Sequence, residues 1–422
     1  MNKKPTFEVI TERPVYSAGK EQITDLLVRI IPPEPDALAR RPQLNLGLVM
    51  DRSGSMEGEK IVRAREAICF CLDQLLPQDR VSIVIFDDVV EVLVPSQPVE
   101  NKEQIKERIQ QVRARNSTAL HQAWVTGGIE VSKNLTEEAI NRVILVTDGL
   151  ANVGQTNPGA IVSQAGDLAA RGVSTSTIGI GSNFNEDLLI PMAEAGRGNA
   201  WHVEQATDMA RIFGSEMRGL AAQLGHTVSL GLTPADGVTV QDVLNDFAVT
   251  HTGRYKLPNL LAGSPIEAVI RVKLPARPAG QRFKVLDLRL AWNPEGVDSS
   301  ERELLSHSVS VDYTDAQEAD RSPADHRVAK AVQMLMAARA RREAVEQLDR
   351  GDITAARATV TGTLQAYAAV CASMPLDASV QEDLHMLGEI EKDLANRKDV
   401  NMTRKKMSYQ SYQLAKQSKP LK

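Results

Sequence analysis

The chain has 422 residues, more than one hydrophobic core usually serves, so two or three domains are expected. Its 49 basic and 54 acidic side chains leave a net charge of -5, too small to point to nucleic acid or an acidic membrane as a general partner. No run approaches the roughly 20 uncharged apolar residues of a membrane-crossing helix, so no membrane span is expected, and the basic N-terminus lacks the apolar centre of a signal peptide.

In chain order, residues 1–42 open with two runs of β-type alternation, TFEVITERPVYSAG and EQITDLLVRIIPP, then a proline-rich linker, PPEPDALARRP. Residues 43–220 alternate strand and helix patterns. Short β-rich runs fall at 44–50, 80–86, 141–147, 172–180 and 199–203. Amphipathic stretches fall at 59–76, 101–113, 119–133, 157–171, 185–195 and 206–220. This rhythm predicts an α/β domain with a doubly wound, mostly parallel sheet and helices on both faces. VVEVLV at 89–94 follows IVIFDD after almost no gap, which suits a hairpin and an antiparallel edge strand. Residues 221–322 return to short strands between Gly/Pro turns, the pattern of a β-sandwich. The N-terminal strands are too few to fold alone. They are therefore assigned to the same sandwich, with the α/β domain inserted into it. Residues 323–396 read as three helices of a C-terminal α-helical bundle, with Pro323 at a start and Gly351–Asp352 as a stop and new cap. Residues 397–422 hold eight basic residues against one acid and are expected to form a basic flexible tail. Its SYQSYQ repeat, with Tyr409 and Tyr412, is flagged as a docking motif.

The three cysteines, Cys69, Cys71 and Cys371, are odd in number, and two sit in an apolar helical pattern. This argues against a disulfide framework and for a reducing, cytoplasmic location.

The chemistry concentrates in two stretches. VMDRSGSMEGEK puts Asp51, Ser53 and Ser55 at alternate positions just past a strand. VILVTDGLANVG puts Asp148 at the end of another strand. In an open parallel sheet, ligands sit beyond the carboxyl ends of the strands, so two acids there imply one shared site. Carboxylates with hydroxyls are hard oxygen donors that favour Mg²⁺ or a similar octahedral cation over zinc. No HxxxH or CxxC spacing supports zinc. The bland alternative is that Asp51 and Ser53 cap a helix beginning near Glu57.

DRSGSM resembles the DxSxS motif of von Willebrand factor A domains, and VTDG resembles their distal acidic motif. RNSTALHQAW supplies Thr118 at the place in the order where that family has a threonine. Ser117 remains a competing position, because the family's Gly-Gly-Thr is Asn-Ser-Thr here. IGIGSNFNEDLLIPMAEAGRGNAWHV is similar to the last strand–helix–strand section of bacterial members. The flanks are similar, more loosely, to bacterial proteins related to inter-alpha-trypsin-inhibitor heavy chains. The resemblance implies a metal-ion-dependent adhesion site (MIDAS) for Mg²⁺ or Mn²⁺. Ser53, Ser55 and Thr118 would touch the ion directly or through one water, and Asp51 and Asp148 would orient its waters. It implies a metal-dependent protein-binding scaffold whose open coordination position takes an exposed Asp or Glu of a partner. A chaperone-like ATPase or other signalling protein is an expected partner.

No catalytic constellation is found. A dehalogenase-like phosphatase needs a second acid where Ser53 stands, a serine hydrolase needs GxSxG, and no phosphate-binding loop occurs. His121, three residues beyond Thr118, has no visible acid partner. The rival reading is a metal-assisted phosphohydrolase using the same cation.

Overall fold

A computed structural model of the protein describes residues 4–34, 42–115, 117–136, 138–149, 153–181, 184–203, 208–294, 302–372, 377–397 and 399–416. The chain begins with β1 (Thr6–Thr11), β2 (Val15–Ser17) and β3 (Gln22–Ile31). An α/β segment follows: β4 (Gln43–Asp51), α1 (Glu59–Gln74), β5 (Arg80–Phe86), β6 (Val90–Pro98), α2 (Lys102–Gln110) and α3 (Leu120–Ser132). It continues through β7 (Ala139–Thr147), α4 (Pro158–Ala170), β8 (Ser174–Ile180), α5 (Glu186–Ala195), β9 (Arg197–Val203) and α6 (Asp208–Ala221). Strands return as β10 (Gln223–Pro234), β11 (Thr239–Val243), β12 (Tyr255–Lys256), β13 (Leu260–Leu261), β14 (Ile266–Leu274), β15 (Arg282–Pro294) and β16 (Glu303–Thr314). The last elements are α7 (Ala316–Arg321), α8 (His326–Asp349), α9 (Ile353–Cys371), α10 (Ala378–Ala395) and α11 (Val400–Lys416). Residues 38–222 make up one compact unit, and the described residues on either side make up the other.

The α/β unit has a six-stranded sheet ordered β6-β5-β4-β7-β8-β9. Every pair is parallel except β5 with β6, so 90–94 of the expected 89–94 belong to an antiparallel edge strand. Alternate residues of β4 serve opposite faces, as the pleat requires. Leu44, Leu46, Leu48 and Met50 pack with Ile61, Ile68 and Leu72 of α1 and Ile212 and Leu220 of α6. Val49 packs with Leu120 and Trp124 of α3, Ile161 of α4 and Leu188 of α5. Both faces are therefore covered, which explains why these strands read as continuous apolar runs. One polar cluster crosses this interior. Glu216 of α6, fully buried, accepts hydrogen bonds from Arg142 (2.8 Å), Ser176 (2.6 Å), Asn199 (2.9 Å) and Trp201 (2.8 Å). Burial alone would raise its carboxyl, but Arg142 and the three other donors hold it below its ordinary 4.5.

The other unit contains two sheets. One is ordered β1-β3-β14-β11, and the second β12-β10-β15-β16-β2, with β13 also on β10. Strand β3 pairs antiparallel with both β1 and β14, from Ile266↔Ile30 to Leu274↔Gln22 in the latter case, so the N-terminal strands are built into the sheet of the later ones. Leu26, Val28 and Ile30 share one core with Leu230, Leu288, Leu290, Val309 and Tyr313 of the second sheet. Leu27, on the opposite face of β3, packs instead with Val269, Val328 and Leu335, so α8 covers the back of the first sheet. Arg339 of α8 fixes that contact at its far end by ion pairs with Asp242 and Asp246 (2.6 Å to the latter).

The C-terminus departs from expectation. In place of a flexible tail from residue 397, Val400–Lys416 forms a helix that packs with α8 and α10. Thr403, Met407 and Ser411, spaced i, i+4, i+8, are buried, and the Ser411 hydroxyl donates to Ala338 O at 3.0 Å. The basic residues sit on the rest of the helix, with Arg404 paired to Asp349 at 2.5 Å. Counting charge over the whole segment hid this narrow stripe. Tyr412 is buried, and residues 417–422 lie outside the described residues.

Candidate metal centre

Strand β4 is where the strand order reverses, with β5 on one side and β7 on the other. Its register (Asp51↔Phe86, Met50↔Val146) brings the carboxyl ends of all three strands to one edge of the sheet. Asp51 leaves that edge fully buried. Its Oδ1 accepts from Ser53 N at 2.7 Å and its Oδ2 from the Thr147 hydroxyl at 2.5 Å. Thr147 Oγ1 in turn accepts from Gly149 N at 2.8 Å. Asp148 is also fully buried, and its backbone oxygen accepts from Asn185 N at 2.9 Å. Gly149 has φ 76°, and a Cβ there would sit 3.0 Å from Asn185 Cβ and 3.2 Å from its backbone nitrogen. The glycine of the VTDG stretch thus allows the turn that presents Asp148.

Ser53 is buried and Ser55 exposed, with their hydroxyl oxygens 3.1 Å apart. The capping alternative finds no support. Ser53 precedes a short 3-10 turn, Gly54–Met56, but makes no side-chain cap bond, and α1 starts after Gly58, at φ 79°.

The third segment is the loop before α3. Arg115 N donates to Arg52 O (2.8 Å) and Ala119 N to Asp87 O (2.7 Å), which ties the loop to the ends of β4 and β5. Helix α3 lies unusually close to β4: a Cβ on Gly127 would be 2.4 Å from Val49 Cγ2, and one on Gly47 would be 3.0 Å from Gly127 O. Thr118 is buried at this edge, whereas Ser117 is exposed. Asn116 lies outside the described residues. His121 bonds Gln164 at 2.5 Å on the helix surface.

Sequence reasoning missed three participants. Thr147 orients Asp51; its hydroxyl beside the Asp-Gly pair was a visible signal. Lys60 Nζ lies 3.3 Å from Asp148 Oδ2. Asp87, fully buried at the end of β5, pairs with Arg115 and with Arg52 (3.2 Å), and Arg52 reaches Glu91 at 3.3 Å. These last contacts join residues distant in sequence and left no local pattern to read.

Burial pushes the Asp51 carboxyl up to about 6 despite the hydrogen bonds from Thr147 and Ser53, and nearby Asp148 adds to the rise. A buried carboxylate pair of this kind gains from a bound cation. Among the described residues no group of three or more His, Cys, Asp or Glu is arranged to hold a metal. A cation here would thus rest on two carboxylates, hydroxyls and water, an all-oxygen set that fits a hard divalent ion.

A doubly wound sheet of this strand order defines a class of fold, and comparison with known proteins names its family. Residues 45–214 match the von Willebrand factor type A domain family, so the chain carries a VWA domain. It is related to "Uncharacterized protein YfbK" of Escherichia coli (30% identical over 44% of this chain and 33% of that protein). It is also related to human inter-alpha-trypsin inhibitor heavy chain H4 (28% identical over 42% of this chain and 20% of that one). The matched region thus spans a third or less of these relatives. The fold extends further: a von Willebrand factor type A protein from Catenulispora acidiphila aligns over 92% of this chain and 90% of its own, at TM-score 0.66 and 17% identity. The ArnB paralog VWA2 from Sulfolobus acidocaldarius aligns over 98% and 99%, at TM-score 0.57 and 17% identity. VWA domains commonly mediate metal-dependent protein interactions and typically bind a divalent metal at the MIDAS. Among the described residues no helix is long and apolar enough to cross a membrane.

Proposed function

We propose that the protein is a metal-dependent binding scaffold whose VWA domain holds Mg²⁺ or Mn²⁺ and captures an acidic side chain of a partner protein. Ser53, Ser55 and Thr118 would bind the ion directly or through water, and Asp51 and Asp148 would orient its water ligands. Bound there, the cation supplies an electrophilic position for a carboxylate. The observation that carries this reading is the pair of fully buried aspartates delivered by separate strands, with the Thr147 hydroxyl on Asp51, the Ser53–Ser55 hydroxyl pair just beyond it and the Lys60 ammonium on Asp148. Neutral hydroxyl donors add no negative charge beyond that of the two aspartates, so an open position on the ion can still take an outside carboxylate. A cage of four carboxylates would not attract one. Burial of Thr118 and exposure of Ser117 favour Thr118 as the third hydroxyl.

We place the protein in the cytoplasm, since Cys69, Cys71 and Cys371 are all free and the last two are buried. The partner class is a protein with an exposed Asp or Glu, and a chaperone-like ATPase or signalling protein remains our expectation.

Calorimetric titration with Mg²⁺ and Mn²⁺ tests the site. Binding should be lost in Asp51→Ala and in the Ser53→Ala/Ser55→Ala pair, weakened in Thr118→Ala and kept in Ser117→Ala. Equal metal binding in all of them refutes the assignment. Phosphoester turnover that Asp51→Ala abolishes would establish the phosphohydrolase reading instead.

A further inference from the structure

Lys60 is the second residue of α1, and its path to the site is built rather than incidental. Its side chain is 26% exposed and ends 3.3 Å from Asp148 Oδ2. On the way it crosses Gly181, just past β8, where a Cβ would lie 2.8 Å from Lys60 Cε. Gly181 is itself held by a bond from its nitrogen to Val203 O at 2.9 Å. Three separate segments, α1, the end of β7 and the end of β8, therefore meet around this one ammonium group. The nearby arginines are engaged elsewhere: Arg52 and Arg115 pair with Asp87.

We infer that Lys60 is a tethered counter-charge that competes with the divalent cation for Asp148 and sets how tightly the metal binds. This inference rests on the metal site proposed above. Asp51 and Asp148 as carboxylates contribute two negative charges, and Lys60 returns one. Metal-free, the cluster carries a net single negative charge in place of two. With a divalent ion it carries a net single positive charge, where without Lys60 it would be neutral. The lysine thus weakens metal binding by like-charge repulsion and leaves the loaded site more attractive to an acidic partner. A lysine suits this role because its flexible stem can swing the ammonium away from Asp148 when the ion enters.

The test uses the full chain with Mn²⁺ alone as probe, in wild type, Lys60→Met, Lys60→Gln and the control Arg63→Met. Arg63 lies on the same helix but pairs with Glu59 (3.0 Å) and Glu66 (2.8 Å). Calorimetry should show Mn²⁺ binding about tenfold tighter in both Lys60 variants, and unchanged in Arg63→Met. Thermal unfolding gives a second readout. In chelator the Lys60 variants should melt below wild type, because buried Asp148 has lost its cation. Saturating Mn²⁺ should then raise their Tm by more than it raises that of wild type. Equal or weaker Mn²⁺ affinity in both Lys60 variants overturns this inference alone. So does a Tm deficit that is the same with and without metal. No Mn²⁺ binding by wild type and variants alike overturns this inference and the metal-site reading together.

Discussion

The close approach of α3 to β4 makes two adjacent glycines opposite in their tolerance of a methyl group. A Cβ on Gly127 would lie 2.4 Å from Val49 Cγ2 and 3.5 Å from Val143 Cγ1, and both valines are fully buried. Val49 is β-branched with a stiff χ1, so it cannot rotate away, and the helix must lift from the sheet. Overpacking of this severity costs about 3 kcal/mol. The better helix propensity of alanine returns about 1 kcal/mol. Gly127→Ala should therefore destabilise the α/β unit by about 2 kcal/mol, or about 4–8 °C in Tm for a unit of this size. The three atoms nearest a Cβ on Gly128 all belong to the Leu168 side chain, Cδ2 first at 3.0 Å, the free end of a flexible side chain. Gly128→Ala should be neutral, or more stable by up to about 1 kcal/mol. Scanning calorimetry of the full chain compares the two, with Trp124 and Trp201 fluorescence following this unit once Trp292 of the other unit is replaced by Phe. Because α3 begins just past Thr118, Gly127→Ala should also weaken Mn²⁺ binding, and Gly128→Ala should not. Equal stability of the two variants refutes the claim that helix–strand contact is tightest at Gly127.

Three further outcomes are expected. Glu216→Gln leaves the Arg142 guanidinium buried without its carboxylate and should cost about 3–5 kcal/mol, measured by urea unfolding at pH 7. Because the Glu216 carboxyl is held below its ordinary 4.5, its contribution is fully present above that pH and is lost as pH falls through its lower folded value; wild type should lose more stability on acidification below pH 4.5 than Glu216→Gln does. Leu335→Ala opens a cavity between α8 and the Leu27–Val269 face of the first sheet and should cost about 2–3 kcal/mol by the same assay. Truncation after residue 399 removes Met407 and Ser411 from the helical core and should lower the Tm of the α8–α10 region, measured by scanning calorimetry.

The α/β unit was legible because its signals are local and repeated. Apolar runs such as 44–50 and 141–147 are what a strand covered on both faces must look like, and the helices between them carry one apolar face each. The two acids were legible for the same reason: each directly follows such a run. What could not be read was anything set by contacts between segments far apart in sequence. Lys60 looks like any first-turn helix residue until Asp148, 88 positions away, is placed beside it. Asp87 and Arg115 are likewise ordinary until β5 and the loop before α3 converge. The α11 stripe failed differently. Of the residues at 403, 407 and 411 only methionine is apolar; threonine and serine do not announce a buried face, and the surrounding charge outweighed the one methionine.

The division between stability and binding follows from where the acids sit. The apolar side chains that hold β4, Leu44 to Met50, all precede Asp51, so the strand is secured before the chain reaches the site. Asp51 is then fixed by donors to both of its oxygens, the Ser53 nitrogen and the Thr147 hydroxyl. A carboxylate bonded at each oxygen has little freedom to rotate, so its remaining lone pairs are held in one direction. The desolvation cost of that arrangement is visible in the raised Asp51 carboxyl, and the packed sheet beneath offsets it. A domain built this way holds its binding edge in shape without a ligand. If the edge binds metal as proposed, the ion would enter and leave without refolding the sheet beneath it.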